Sequence, residues 1–210
     1  MKYIQKQSEP QEFTNWKSQA NQNWQPTWDT LRGQVKQKLK EALMAEQGYI
    51  CCYCEDRLSD QNSHIEHFQP KSDSAVDPLD FSNLLCSCQN NKTREEPSHC
   101  GSLKSDWFDE KLLISPLDPT CEERFMFTGD GSIEPANSSD QAAIETIKRL
   151  GLNIRKLQNL RQQVIDPFLD EDLSDKDLEE FVTSYLKQSE SGEFDRFWTT
   201  IHYLFKTYIK

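Results

Sequence analysis

The cysteines of this 210-residue chain are concentrated in one region. The clustered residues are Cys51, Cys52, Cys54, Cys86 and Cys88, and Cys100 follows soon after. Cys51 and Cys54 have the two-residue gap that lets two thiolates bind the same tetrahedral zinc ion. Disulfides are disfavoured in the cytosol, where we expect the chain to remain, so this clustering predicts a metal site.

Two further cysteines are needed to complete a tetrahedral site. We expect Cys88 and Cys100 in these positions, with Cys86 or His99 as alternatives. The competing interpretation is that several of these residues are buried free thiols that pack as small hydrophobic side chains. Cys52 and Cys121 are interpreted in that way, and redox catalysis by the first pair is disfavoured because no βαβ pattern surrounds it.

A second group of reactive side chains, His64-Ile65-Glu66-His67, lies between the cysteines. A carboxylate beside an imidazole can bind a divalent ion and transfer a proton. An ordinary surface strand with two histidines would look the same. The position of the group inside the cysteine frame, with Asn83 downstream, favours a catalytic site.

The elements that must position these residues follow from periodicity and capping signals. Helices are expected at 11–24 and 27–47, followed by a cysteine-bearing turn at 49–58 and a strand near 63–68. A helix is expected to begin within 80–89, a strand at 112–117, and a hairpin from 124–128 and 132–135 around Asp130-Gly131. Further helices are expected at 139–150 with a Ser138–Gln141 capping box, at 153–165, from Ser174 onward, and at 193–209. This pattern predicts an α+β fold.

The division of the chain is expected to be a helical segment at 1–48, a metal-bearing core at 49–135 and a helical region at 136–210. No apolar run approaches the ~18–20 residues that span a bilayer, and the N-terminus lacks a signal-peptide core, so we expect a cytoplasmic protein without a membrane partner. The net charge is −11, and residues 49–134 carry 7 basic and 17 acidic side chains. Such acidity argues against a simple nucleic-acid-coating protein.

The order of these motifs resembles the HNH endonucleases. The matching segments are Cys51-x-Tyr53-Cys54-Glu55, His64-Ile65-Glu66-His67-Phe68-x-Pro70-Lys71, Phe81-x-Asn83-Leu84-Leu85, Ser87-Cys88-Gln89 and His99-Cys100-Gly101. More narrowly, the chain resembles the HNH subunits of Septu-type anti-phage defence systems, some of which occur with retrons. The resemblance covers most of residues 1–135 and extends only loosely into the helical tail.

The resemblance implies a ββα-metal core with a structural Zn²⁺ and a catalytic Mg²⁺ or Mn²⁺. It makes His67 the general base, Glu66 a ligand of the catalytic metal, and Asn83, in or just before the helix, the residue that orients the histidine loop. One departure is that Gly101 occupies the position after the last zinc cysteine, where most HNH sequences have His or Asn. The second ligand of the catalytic metal is therefore open among the candidates Asn91, His99 and His64.

The resemblance also implies partners. These are a nucleic-acid substrate, either DNA or RNA such as tRNA, an ABC-type ATPase, and through the complex a retron reverse transcriptase with its msDNA. The acidic charge fits an active site that depends on such a partner for attraction to phosphate. The alternative is a catalytically inactive, zinc-stabilised adaptor or nucleic-acid-binding module. His202, on the last expected helix, is assigned no chemistry.

Overall fold

A computed structural model describes residues 1–209 of the chain. Within that range lie seven α-helices: α1 Gln11–Lys17, α2 Gly33–Glu46, α3 Cys100–Lys104, α4 Gln141–Arg149, α5 Arg155–Ile165, α6 Asp175–Leu186 and α7 Trp198–Leu204. The strands are β1 Ser63–His67, β2 Leu84–Cys88, β3 Phe125–Phe127 and β4 Ile133–Pro135, and they form two antiparallel pairs. The α+β class is therefore confirmed.

The pair β1–β2 carries the chemically interesting residues. Its register places Ser63 opposite Cys88 and His67 opposite Leu84. Strand β2 is buried along its whole length, as expected of a continuous apolar run covered on both faces. The two strands connect through a long loop and a short 3-10 turn, Phe81–Asn83. A strand near 63–68 is thus confirmed.

The prediction of a helix that begins within 80–89 is wrong. The Asp80 side chain accepts a hydrogen bond from Ser82 N and caps only the 3-10 turn. The next five residues are apolar or small and lack helical periodicity, so they pair with β1 instead. Asn83 consequently ends the turn before a strand. The helix of the ββ-helix unit is α3, and it begins at Cys100 after a loop.

The N-terminal helices are shorter than expected. Helix α1 ends at Lys17, and α2 begins at Gly33 rather than at position 27. A capping box between Thr27 and Thr30 closes a separate 3-10 turn, Trp28–Thr30, and the chain is extended after it. Trp28 is thereby detached from α2 and can pack elsewhere.

The prediction of a strand at 112–117 is also wrong. The backbone groups of this segment bond outside any sheet: Ile114 N donates to Thr146 Oγ1 and Pro116 O accepts from Ile4 N. The hairpin of β3 and β4 is confirmed, and Gly131 adopts a positive φ of 80° in its turn. Such a conformation favours glycine.

The C-terminal helices occur near their expected positions with different ends. Asp140, and not Ser138, caps α4 by accepting from Ala143 N. Ser174 caps α6 as expected, whereas α7 spans only Trp198–Leu204 of the expected 193–209. Further 3-10 turns lie at Cys121–Arg124, Asp166–Leu169 and Lys206–Tyr208.

The main hydrophobic core contains buried residues from Met1 through Leu157, including those of β2, and the partly buried Ile65 of β1 packs against it. A second, smaller cluster unites the last helices through Ile165, Phe168, Val182, Ile201 and Phe205. None of the helices within residues 1–209 is both long enough and apolar enough to cross a bilayer.

Candidate metal centre and catalytic site

Four cysteines converge on one buried point. The Sγ atoms of Cys51, Cys54, Cys88 and Cys100 lie within 4.8 Å of one another. The Cys54 and Cys88 sulfurs are 3.8 Å apart, which matches the ~3.8 Å edge of a tetrahedron with ~2.3 Å metal–sulfur bonds. The same distance is far longer than the ~2.05 Å of a disulfide. The four residues therefore fit a divalent ion such as zinc.

Three elements deliver these sulfurs. Cys51 and Cys54 lie in the tight turn after α2, Cys88 ends β2, and Cys100 begins α3. Backbone amides point at the sulfurs, since Asp56 N lies 3.5 Å from Cys54 Sγ and Cys88 N lies 3.4 Å from Cys51 Sγ. Such donors favour thiolate over thiol. An ion in this group would join the turn, the strand and the helix.

The ionisation of these thiols is unequal. Burial raises the pKa of the Cys100 thiol well above its usual value. Burial acts on Cys51 as well, but hydrogen bonds from the neighbouring thiols outweigh it and lower the pKa of Cys51 well below its usual value. A divalent cation would stabilise the other three thiolates, as it does in structural zinc sites.

The alternative ligands lie outside this group. His99 Nδ1 approaches Cys100 Sγ at 3.1 Å and Cys88 Sγ at 3.7 Å, so the imidazole packs against the sulfurs. Cys52, Cys86 and Cys121 are buried, and they are not members of the four-cysteine group.

Glu66 lies next to this centre and has a different partner on each carboxylate oxygen. Oε1 accepts a hydrogen bond from Tyr53 OH at 3.1 Å and pairs with Lys104 Nζ at 2.8 Å. Oε2 faces His64 Nε2 at 3.6 Å. Burial raises the pKa of Glu66, but His64 and Lys104 outweigh it and lower the pKa below its usual value. Glu66 is thus an ionised, buried carboxylate at neutral pH.

His67 ends β1 beside Glu66. Its Nε2 lies 3.0 Å from Pro78 O, and because a carbonyl can only accept, Nε2 carries the proton and Nδ1 carries the lone pair of the neutral ring. The Trp28 indole packs edge-to-face on the imidazole, with ring centroids 4.3 Å apart. Burial, with help from the charge of Lys71, lowers the pKa of His67 below its usual value. The imidazole is therefore neutral near pH 7.

Asn83 holds the loop that follows His67. Its side-chain amide accepts from Gln69 N at 2.8 Å and donates to Gln69 O at 2.9 Å. Its own backbone carbonyl accepts from Phe68 N at 3.0 Å. Three hydrogen bonds thus fix the two residues after His67 to the start of β2.

Gly101 lies against the Glu66 carboxylate. A Cβ atom at this position would stand 2.9 Å from His64 Nε2 and closer still to Glu66 Oε2. Of the three candidates for a second catalytic-metal ligand, His64 is the one that faces Glu66. Asn91 is exposed and bonds to Gln61 O, and His99 packs against the cysteine group.

Sequence reasoning did not predict the contacts of three residues at the site. Tyr53 and Lys104 contact Glu66, and Trp28 contacts His67. Lys104 is almost fully buried and also donates to His67 O at 3.0 Å. The one sequence signal was the place of Tyr53 inside the first cysteine pair. His202 stacks on Trp198, with ring centroids 4.8 Å apart.

Two curated proteins are similar to this chain. The candidate HNH endonuclease of retron Vc95 from Vibrio cholerae serotype O1 biovar El Tor is 35% identical over an alignment of 141 positions. That alignment covers 63% of this chain and 65% of that protein, just under two thirds of its length. The candidate HNH endonuclease of retron Ec83 from Escherichia coli is 31% identical over an alignment of 212 positions, gaps included, that covers 80% of each chain. No protein-family model matches the sequence. Because this chain is 31% identical to the retron Ec83 protein and covers 80% of it, the chain belongs to the HNH endonuclease family.

Proposed function

We propose that the chain is a metal-dependent nuclease that hydrolyses phosphodiester bonds in nucleic acid. The observation that carries this proposal is the pairing of an ionised, buried Glu66 with a neutral His67 at the end of the same strand. An acid that can bind a divalent ion and a base with a free lone pair are the two groups that such hydrolysis requires.

His67 would take a proton from the attacking water at Nδ1. The hydrogen bond from Nε2 to Pro78 O fixes the tautomer and would stabilise the charge that the ring then gains. Asn83 keeps the loop after His67 in place, and Glu66 Oε2 would hold Mg²⁺ or Mn²⁺. When bound, such an ion supplies stabilisation of the negative charge on the phosphate and the leaving oxygen.

The four cysteines would hold a structural Zn²⁺. Its role would be to keep the turn after α2, the end of β2 and the start of α3 together. Glu66 bonds to Tyr53, which lies between Cys51 and Cys54, and it packs against Gly101, which follows Cys100. Zinc would therefore set the position of the carboxylate without taking part in the reaction.

The biological setting that we propose is an anti-phage defence complex of the Septu type associated with a retron. Two relatives are named as retron proteins, and the motifs resemble those of Septu HNH subunits. Residues 49–134 carry 17 acidic and 7 basic side chains and would repel a phosphate backbone. An ABC-type ATPase is the proposed protein source of the missing attraction, and a retron reverse transcriptase with its msDNA is proposed to join through the complex. The helical region 136–210 is proposed to bind them.

The test is cleavage of plasmid DNA and of total RNA in Mg²⁺ or Mn²⁺, with and without the ATPase. Glu66→Gln keeps the shape of the side chain and loses its charge, so we expect at least ~10²-fold slower cleavage, because a lost metal ligand costs several kcal/mol. Glu12→Gln, at an exposed position on α1, is the control and should cleave like the wild type. Equal rates in the two variants, or a wild type that cleaves neither substrate with metal and partner present, would refute the proposal.

A further inference from the structure

We infer that His64 is the second protein ligand of the divalent ion held by Glu66. This inference rests on the proposed function, since it concerns the same catalytic ion. It assigns the ligand role to a residue that precedes Glu66 on β1, and not to a residue on the helix that follows the last cysteine.

The two oxygens of Glu66 are not equivalent. Tyr53 and Lys104 both bind Oε1, and these two contacts fix the orientation of the Glu66 carboxylate. Oε2 points to His64 Nε2 across 3.6 Å, a distance longer than the ~2.7–3.2 Å of a hydrogen bond. The histidine and the glutamate therefore face each other at ion-pair distance, beyond the length of a hydrogen bond.

This gap suits an ion. Bonds of about 2.1 Å from a divalent ion to a carboxylate oxygen and to an imidazole nitrogen can connect atoms up to about 4.2 Å apart. His64 and Glu66 lie two residues apart on one strand, so their side chains leave the same face. Both atoms are in reach of one ion without any shift of the backbone.

Gly101 provides the space for this pair. Any side chain at position 101 would begin 2.9 Å from His64 Nε2 and even nearer to Glu66 Oε2. Its backbone is held in place, since Gly101 N donates to Ser87 Oγ at 3.1 Å. The side chain of His64 is 26% exposed, which leaves access for water and substrate. A ligand pair that is buried on one side and open on the other is typical of a catalytic metal site.

The experiment measures Mn²⁺ binding by the full-length His67→Ala protein, in which the neighbouring imidazole is absent. Pulsed electron paramagnetic resonance should show ¹⁴N coupling from one bound imidazole. Adding His64→Ala should abolish the coupling and weaken the Mn²⁺ Kd at least ~10-fold. Adding His202→Ala instead should change neither quantity. His64→Gln, which keeps a polar side chain of similar length, should lose the coupling in the same way and serves if the alanine variant folds poorly.

Coupling that persists without His64, or Mn²⁺ binding that is unaffected by its loss, would overturn the inference. Failure to bind Mn²⁺ before His64 is replaced would overturn it as well. A wild type that cleaves nucleic acid while His64→Ala binds Mn²⁺ normally would leave the nuclease standing and remove only His64. A protein that binds Mn²⁺ through His64 but cleaves neither DNA nor RNA would support His64 as a ligand and refute the proposed nuclease activity.

Discussion

Glu66 and His67 are adjacent in the sequence, and the groups that set their protonation come both from neighbouring residues and from distant parts of the chain. Lys104 lowers the pKa of Glu66 from helix α3, and His64 does so from the same strand. Trp28, from the N-terminal segment, covers His67, and burial lowers the pKa of that imidazole. Both shifts act in the useful direction, because a metal ligand must be ionised and a general base must be neutral.

Asn83→Ala tests the positioning of the histidine loop. The substitution removes both side-chain hydrogen bonds to Gln69, so we expect ~10–100-fold slower cleavage. The loss of two hydrogen bonds should also lower the free energy of unfolding by about 1–3 kcal/mol. Single-turnover cleavage rates and urea unfolding measure the two effects.

Asn21→Ala is the matched control, because this exposed asparagine also accepts from a backbone amide, Asn23 N, at 2.9 Å and donates to a backbone carbonyl, Gln19 O, at 3.1 Å. It should lose stability without a matching loss of rate. If Asn83→Ala cleaves as fast as Asn21→Ala, the loop does not depend on Asn83.

At the level of elements, local signals in the sequence predicted what local interactions decide. The strand β1, the hairpin around Asp130-Gly131 and the Ser174 cap of α6 are all confirmed. The errors arose where a distant partner decides the structure. Strand β2 forms because β1 pairs with it, and 112–117 stays irregular because Thr146 and Ile4 take its hydrogen bonds.

The residues of the candidate site divide in the same way, into those with a local sequence signal and those that only the folded chain brings to the site. Spacing favoured the four cysteines that converge, with Cys86 or His99 left open as alternatives, and it placed His64 near Glu66. It could not identify Tyr53, Lys104 or Trp28, because each contacts the site only through the folded chain. A buried lysine such as Lys104 has no local sequence signal at all, since lysines are ordinarily exposed.

Cys54→Ser tests whether the cysteine group holds together the turn after α2, the end of β2 and the start of α3. Structural zinc contributes about 10–16 kcal/mol, comparable to or larger than the ~5–15 kcal/mol total stability of a typical domain. We therefore expect the variant to lose its zinc and most of its cooperative unfolding transition. Elemental analysis and thermal unfolding followed by circular dichroism measure the two properties.

Cys52→Ser provides the comparison from the same turn, because Cys52 is buried and lies outside the four-cysteine group. It should keep one zinc per chain and lose only the modest stability expected for a buried thiol. Wild-type protein that is folded and free of zinc would contradict the assignment of the cluster.

On the scale of the whole molecule, the charge and the architecture support the proposal that the chain acts together with partner subunits. The chain has a net charge of −11, yet the Glu66-His67 pair has the protonation states of a phosphodiester-cleaving site. An acidic protein gains little from long-range attraction to nucleic acid, so recognition is expected to come from partner subunits. The last helices pack in a separate small cluster around the buried Phe168 and Phe205, and they leave Leu169 and Phe181 exposed for such contacts.

The central claim is that His67 is the general base, and the most direct test is the single-turnover cleavage rate of His67→Ala in the assembled complex at saturating metal. Removal of a general base costs ~10²–10⁴-fold, and we predict a loss in that range, with zinc content unchanged and a cooperative unfolding transition retained. Glu12→Ala, which removes an exposed side chain on α1, should retain the wild-type rate. A His67→Ala protein that cleaves as fast as Glu12→Ala would contradict the account.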